Sequence, residues 1–309
     1  MNTDLENAYQ AIRSGRAGFH EQPRGLIAVW GKEAVPFLDG MITNDMKTLE
    51  DGGQMLAAFP NAQGRLLAVV RVLRQGDRFL LETEDTTREK LFQNLFRFTF
   101  AGDFFVEDLS EQFRCFELIG KYDLLALFVL GVSTDESFVF EGRSTSVFVP
   151  AKSADVFRSS LNQLESVRID DGTYETLRIE NGIPKFGVDM DETTIVSELG
   201  LEGLISYNKG CYIGQEIIAR IHFRGHVAKR HTGLTFEAET QPVGSVSQVG
   251  AELTSNDGKP GGRITSWTYS PKLEKTVALA FVRYDYLAEG TELLVDGKPA
   301  IVTPLPFVK

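Results

Sequence analysis

Lys209-Gly210-Cys211-Tyr212-Ile213-Gly214-Gln215-Glu216 places a thiol where it could do chemistry. The thiolate, not the thiol, attacks electrophiles and binds metals, and a nearby cation favours it. Lys209, two positions before Cys211, is such a cation. Gly210 leaves no side chain next to the sulfur, so the backbone can turn and a partner can approach. The apolar run Ile217-Ile218-Ala219 follows; if it is helical, its positive N-terminal end lies near Cys211 and favours the thiolate further. The alternative is a structural cysteine in a buried turn.

The other cysteine, Cys115 in Phe113-Arg114-Cys115-Phe116, reads as a small core residue on a strand. Two cysteines in 309 residues point to a reducing compartment without a disulfide framework. One thiolate cannot complete a metal's ligand set, so a metal at Cys211 would take its other ligands from another molecule. His222, His226 and His231 have no recognised metal spacing and read as surface residues; Asp189 and Asp191 read as a polar loop. The chain has 32 basic and 43 acidic side chains, net −11, which argues against general nucleic-acid binding. The window 209–230 runs the other way, with five cations against one anion (+4), leaving the remainder at −15. It is either a solvated basic segment or a site for an anionic ligand or acidic partner.

Met1 to Phe19 has no signal-peptide pattern, and no run approaches the ~18 apolar residues of a membrane span; a cytoplasmic, membrane-free protein is expected. Alternation predicts strands over Leu26–Trp30, Gln54–Phe59, Arg65–Leu73, Phe79–Thr83, Phe113–Ile119, Leu124–Leu130 and Ser146–Val149, with Asn61-Ala62-Gln63-Gly64 as a hairpin turn. Spacing of apolar residues predicts helices over Lys32–Met41, Thr86–Phe98, Ser153–Leu164 and Tyr174–Asn181. From His231 onward the chain is strand and turn, with hairpins at Asn256-Asp257-Gly258 and Asp296-Gly297. The expected class is α+β, with a body over residues 1–230 and an antiparallel β-barrel over 231–309.

The octapeptide, continued by Ile218-Ala219-Arg220 and Phe223-Arg224-Gly225, resembles the signature of the YgfZ family, folate-binding proteins linked to iron–sulfur clusters and related to the T-protein (aminomethyltransferase) of the glycine cleavage system. The resemblance implies a body of two α/β lobes around a central channel, followed by a C-terminal barrel. It implies tetrahydrofolate as the cofactor, with Glu180 of Arg178-Ile179-Glu180-Asn181-Gly182 accepting from the pterin edge. Tyr174 stands where the family has a folate-associated tryptophan, and Arg24 falls near a second such tryptophan. Asn44 and Asp45 of Thr43-Asn44-Asp45 resemble a turn beside the pocket. Arg220 and Arg224 are the cations assigned to the cofactor, whose glutamate tail calls for them.

In the T-protein the strand after the Asn-Ala-x-Gly turn carries an aspartate needed for aminomethyl transfer. Here Ala68 and Val69 occupy that position and cannot handle a proton. The resemblance therefore implies a folate-binding accessory factor for assembly or repair of iron–sulfur clusters in client enzymes, including radical enzymes that modify tRNA, acting through Cys211 and Lys209. Its partners would be a cluster carrier or a client enzyme, and a cluster would be held transiently between Cys211 and that partner. The alternative is a tetrahydrofolate-dependent aminomethyltransferase or demethylase.

Overall fold

The computed structural model describes residues 3–122, 136–142, 144–236 and 249–308. The expected strand Leu124–Leu130 lies outside the described residues. The elements before the barrel are α1 (Thr3–Arg13), β1 (Gly18–Gln22), β2 (Arg24–Trp30), α2 (Ala34–Met41), β3 (Gln54–Pro60), β4 (Leu66–Gln75), β5 (Arg78–Glu84), α3 (Asp85–Phe96), β6 (Phe105–Asp108), β7 (Phe113–Ile119), β8 (Phe138–Phe140), β9 (Thr145–Pro150), α4 (Ala154–Gln163), β10 (Val167–Arg168), α5 (Asp171–Glu180) and α6 (Gln215–Arg224). The barrel follows as β11 (Lys229–Phe236), β12 (Glu252–Thr254), β13 (Pro260–Ser270), β14 (Lys275–Arg283), β15 (Glu292–Val295) and β16 (Lys298–Thr303).

The chain divides into two compact units, the first formed by Met1–Pro60, Leu67–Tyr174 and Gly203–Ile213, the second by Asn61–Leu66, Glu175–Glu202 and Gly214–Lys309. The first unit holds two five-stranded sheets, ordered β3-β4-β5-β2-β6 and β10-β1-β7-β9-β8. Strand β2 shows why they stack. Its side chains alternate faces, and both sets are apolar. Ile27 and Val29 pack with Leu38 of α2 and Leu91 and Leu95 of α3. Leu26 and Ala28 pack with Cys115, Phe138, Phe140 and Phe148 of the other sheet. That second sheet buries Phe116, Leu118, Val147 and Val149 against Phe157 and Leu161 of α4. The layers thus run helix, sheet, sheet, helix.

In the second unit β11-β14-β13-β12-β15-β16 close into a six-stranded antiparallel barrel. The interior of β14 is lined by Ala278, Ala280 and Val282, packed with Leu234, Ile264, Leu293 and Val302. Its other face sets Val277 and Leu279 against Ile179 of α5. The expected Asp296-Gly297 hairpin has positive φ at both residues, 48° and 75°, as a type I′ turn requires.

Candidate functional site

Cys211 is exposed, on a loop fastened to the end of α2. The last carbonyls of a helix have no partner within it and sit at its negative pole. Lys209 takes one of them and two just beyond: its Nζ donates to Asp39 O at 2.6 Å, to O of the C-cap Ile42 at 2.9 Å and to Asn44 O at 2.6 Å. The Ile213 amide donates to Gly40 O at 3.0 Å. Asp39 lies 3.2 Å from Nζ and also accepts from Met46 N at 3.0 Å. Burial pushes the Lys209 ammonium below the usual lysine range, against the pull of Asp39. Lys209 is expected to act on the thiolate, but its hydrogen bonds go elsewhere. Its three N–H donors are engaged by backbone carbonyls, so none is left for the sulfur, and the lysine positions the loop. Asn44 serves the same fastening, donating to Leu56 O at 2.9 Å and Gly203 O at 2.8 Å. Asp45 accepts from Lys47 N at 3.0 Å and caps the turn Met46–Thr48.

Arg24 and Tyr174 belong to a polar group set between the two sheets. Alternation on β7 places Glu117 on the same face as Cys115. Tyr174 donates to Glu117 Oε2 at 2.9 Å. Gln22 Nε2 donates to the Tyr174 hydroxyl at 3.1 Å and also to Glu117. The Tyr174 ring stacks on His20, centroids 4.3 Å apart and planes 12° apart. Burial, then Glu117, pushes the Tyr174 hydroxyl up. Next to it, Glu82 pairs with both Arg24 and Arg71, the latter at 2.8 Å. Burial alone would raise the Glu82 carboxyl, but the two guanidiniums outweigh it and hold it at about 2. A cleft of about 610 Å³ opens here, with Gln22, Arg24 and Cys115 in its wall. Burial pushes the Cys115 thiol up, so this cysteine stays protonated.

The Glu82 pairing has a testable pH signature. A carboxylate with a depressed folded-state pKa stabilises the fold above its unfolded value, 4.5, and loses that contribution as pH falls toward about 2. Glu82→Gln should be destabilised by about 3 kcal/mol at pH 7, and the gap to the parent should close as pH falls from 4.5 toward 2. Urea titrations of both proteins across that range check it; a gap that stays constant would refute it.

Glu180 lies in the second unit, at the end of α5. It is fully buried and accepts from the Ser270 hydroxyl. Arg178 pairs with Asp189 at 2.7 Å and donates to Ser266 Oγ at 2.8 Å. Asp189, expected on a polar loop, is 1% exposed, because Arg178 and Thr265, whose hydroxyl donates at 2.6 Å, enclose its carboxylate. His222 is exposed on α6 and His226 is exposed beyond it, but His231 is buried on β11 with its ring edge against Phe281; the surface expectation for His231 is corrected. Arg220 and Arg224 are exposed one turn apart on α6. That helix starts after Gly214, at φ 81°, where an added Cβ would lie 2.4 Å from Asn61 O and 3.2 Å from Gly64 Cα. The expected site residues therefore fall into separate groups: Cys211, Lys209, Asn44 and Asp45 in one; Arg24 and Tyr174 in another; Glu180 and the α6 arginines in the second unit.

Sequence reading missed Glu117, Glu82, Arg71 and Asp39. A charge inside or at the end of an apolar run is the signal that could have found them: Arg71 interrupts Val69–Leu73 and Glu117 interrupts Phe116–Ile119, while Glu82 follows Phe79-Leu80-Leu81 and Asp39 follows Phe37-Leu38. It marks a position needing a partner, without naming the partner.

A layered α/β body followed by a closed antiparallel barrel is the aminomethyltransferase-like fold. The chain carries the GCVT N-terminal domain over residues 1–129 and the Glycine cleavage T-protein C-terminal barrel domain over residues 229–309, and so belongs to the T-protein-like superfamily. It is 27% identical to an aminomethyltransferase of Bdellovibrio bacteriovorus, across 98% of this chain and 91% of that one. It is 29% identical to the mitochondrial iron-sulfur cluster assembly factor IBA57 homolog of Mycosarcoma maydis, across 73% of this chain and 59% of that one. The crystal structure of aminomethyltransferase T from Bartonella henselae has the same fold, with TM-score 0.87 at 22% identity over 98% of this chain and 89% of that one. Among the described residues no helix is long and apolar enough to cross a membrane.

Proposed function

We propose that this chain is a folate-binding accessory factor for assembly or repair of iron–sulfur clusters in client enzymes, with Cys211 offering one ligand to a cluster whose other ligands come from a carrier or client. The observation that carries this reading is the exposed sulfur on a loop pinned to α2 by Lys209. Cys115 is buried and protonated, which leaves Cys211 as the usable thiol and makes the shared cluster the chemically consistent form. Radical enzymes that modify tRNA are the client class the family resemblance favours.

The polar group between the sheets is the donor set we assign to a folate, its present hydrogen bonds among Tyr174, Gln22 and Glu117 giving way to the ligand's. Glu117 is an acceptor for the pterin edge, Tyr174 a stacking face and Arg24 a cation. Tetrahydrofolate, when bound, supplies nitrogens that carry one-carbon units. Glu180 keeps its carried-over role as a second acceptor, to be tested separately because Ser270 already donates to it.

A second reading, a folate-dependent aminomethyltransferase, is favoured by the 27% identity that runs through nearly the whole chain. Against it stands β4. Ala68 is in the core under α2 and α3, so alternation leaves Val69 on the face shared with Arg71, and valine cannot carry a proton. Tetrahydrofolate should bind, Tyr174→Ala should weaken it by about tenfold, the worth of one aromatic contact, and an aminomethyl donor should yield no methylene-tetrahydrofolate. Calorimetry and product detection check both; turnover that disappears in Glu180→Ala would favour the transferase.

A further inference from the structure

The end of α6 and the adjoining edge of the barrel put cations and aromatic rings on one surface of the second unit. Residues 215–230 carry four cations against one anion (+3) in a chain of net charge −11. Arg220, Phe223 and Arg224 lie three and four positions apart on α6 and so share one of its faces. All three are exposed, Phe223 at 66%. The chain then leaves α6 across the end of β14. There the His226 ring stacks on Tyr284, centroids 3.7 Å and planes 13° apart, and Tyr284 N donates to Ala228 O at 3.0 Å. Tyr284 is itself 47% exposed. Arg283, exposed beside it, is directly opposite Lys229 on β11.

These cations lack internal anions. Among the described residues no acidic side chain pairs with Arg220, Arg224 or Arg283. Like charges directly opposite one another on neighbouring strands are destabilising, and a carboxylate brought from outside between Lys229 and Arg283 relieves that repulsion. The composition narrows the occupant. Arginine, tyrosine and phenylalanine are the residues enriched where proteins meet, and lysine is depleted there; here three open arginines stand with Phe223 and Tyr284. Single-stranded nucleic acid calls for open aromatic faces along a cationic groove. His226 already lies on the Tyr284 ring, and the net negative charge of the chain repels a long polyanion. A few aromatics among open guanidiniums suit a transient, electrostatically steered encounter, which is what an accessory factor needs if it is to release its client.

We propose that this surface docks the client enzyme through a carboxylate-bearing face, with Arg220, Arg224 and Arg283 meeting the carboxylates and Phe223 covered by an apolar side chain. It rests on the cluster-sharing reading above, and it gives Arg220 and Arg224 to a protein partner in place of the cofactor tail that the resemblance assigns to them.

Steady-state maturation of an apo radical enzyme that modifies tRNA, with a cluster donor present, tests it. Phe223 and Arg283 are exposed, so Phe223→Ala/Arg283→Glu should fold. This variant should raise KM for the client about tenfold with kcat little changed, whereas Cys211→Ala lowers kcat at every client concentration. The parent's KM should climb with salt, and the variant's should climb less. Arg220→Glu/Arg224→Glu should raise KM as far while calorimetry finds tetrahydrofolate affinity equal to the parent's. An unchanged KM for the client in both variants, or a change in KM for the cluster donor alone, overturns the docking surface while the cluster reading stands. So does loss of tetrahydrofolate affinity in Arg220→Glu/Arg224→Glu, which returns those arginines to the cofactor. Oligouridylate that competes with the client on the parent and no longer binds either variant assigns the surface to nucleic acid and overturns it too. Failure of the parent to mature the client overturns the cluster reading and this inference with it.

Discussion

Cys211→Ala should reduce cluster maturation of a client enzyme to background while leaving the fold intact. Losing a group that orients a metal ligand costs about 10- to 100-fold, and losing the ligand itself should cost at least as much. The sulfur is exposed, and surface substitutions away from structural features stay within about 0.5 kcal/mol, so thermal unfolding should not move. Cys211→Ser tests the chemistry more narrowly. Its hydroxyl matches the thiol in position but is not a soft thiolate ligand, so it should fail as well. A reconstitution assay with a cluster donor and an apo client reads the activity; full activity in either variant would end the thiolate reading.

Lys209→Met should give the largest loss of stability at the site. The side chain of Lys209 is fully buried and satisfies three carbonyls at and just beyond the end of α2. Methionine keeps much of the volume but leaves those carbonyls and Asp39 without their buried cation. Removing one partner of a buried charge pair costs about 3–5 kcal/mol. Denaturant unfolding should show that loss, and limited proteolysis should cut the segment 203–213 faster than in the parent. Maturation activity should fall as well, because the sulfur loses the platform that presents it. Normal stability with lost activity would instead restore the direct partnership of lysine and thiolate that the sequence spacing implies.

Local pattern made much of the fold readable. The expected strand Phe113–Ile119 is β7 to the residue, and Thr86–Phe98 is α3 with shifted ends, because apolar period alone sets such elements. The hairpin at Asp296-Gly297 was readable for the same reason: only certain residues accept positive φ at both turn positions. The site was readable as far as the sulfur and its loop. What Lys209 does was not, since its partners lie 165 to 170 positions away, at and just past the end of α2, and no spacing rule links them. The partners of Glu82 and Glu117 were illegible for a related reason. Each becomes meaningful through neighbours on other strands, Arg24 and Arg71 for one, Gln22 and Tyr174 for the other. The misread residues share this cause, since His231 and Asp189 look polar in the chain and are enclosed in three dimensions.

The glycine at 214 sets a rule for anyone building hybrids of this protein. With the carbonyl of Asn61 lying 2.4 Å from where a methyl group would project, the turn between β3 and β4 and the start of α6 behave as a matched pair. A graft that imports α6 from a relative with a bulkier residue there must import the Asn61–Gly64 corner too, or the two pieces will collide. Shuffling libraries with crossovers between those segments should therefore yield far fewer folded members than libraries that keep them together.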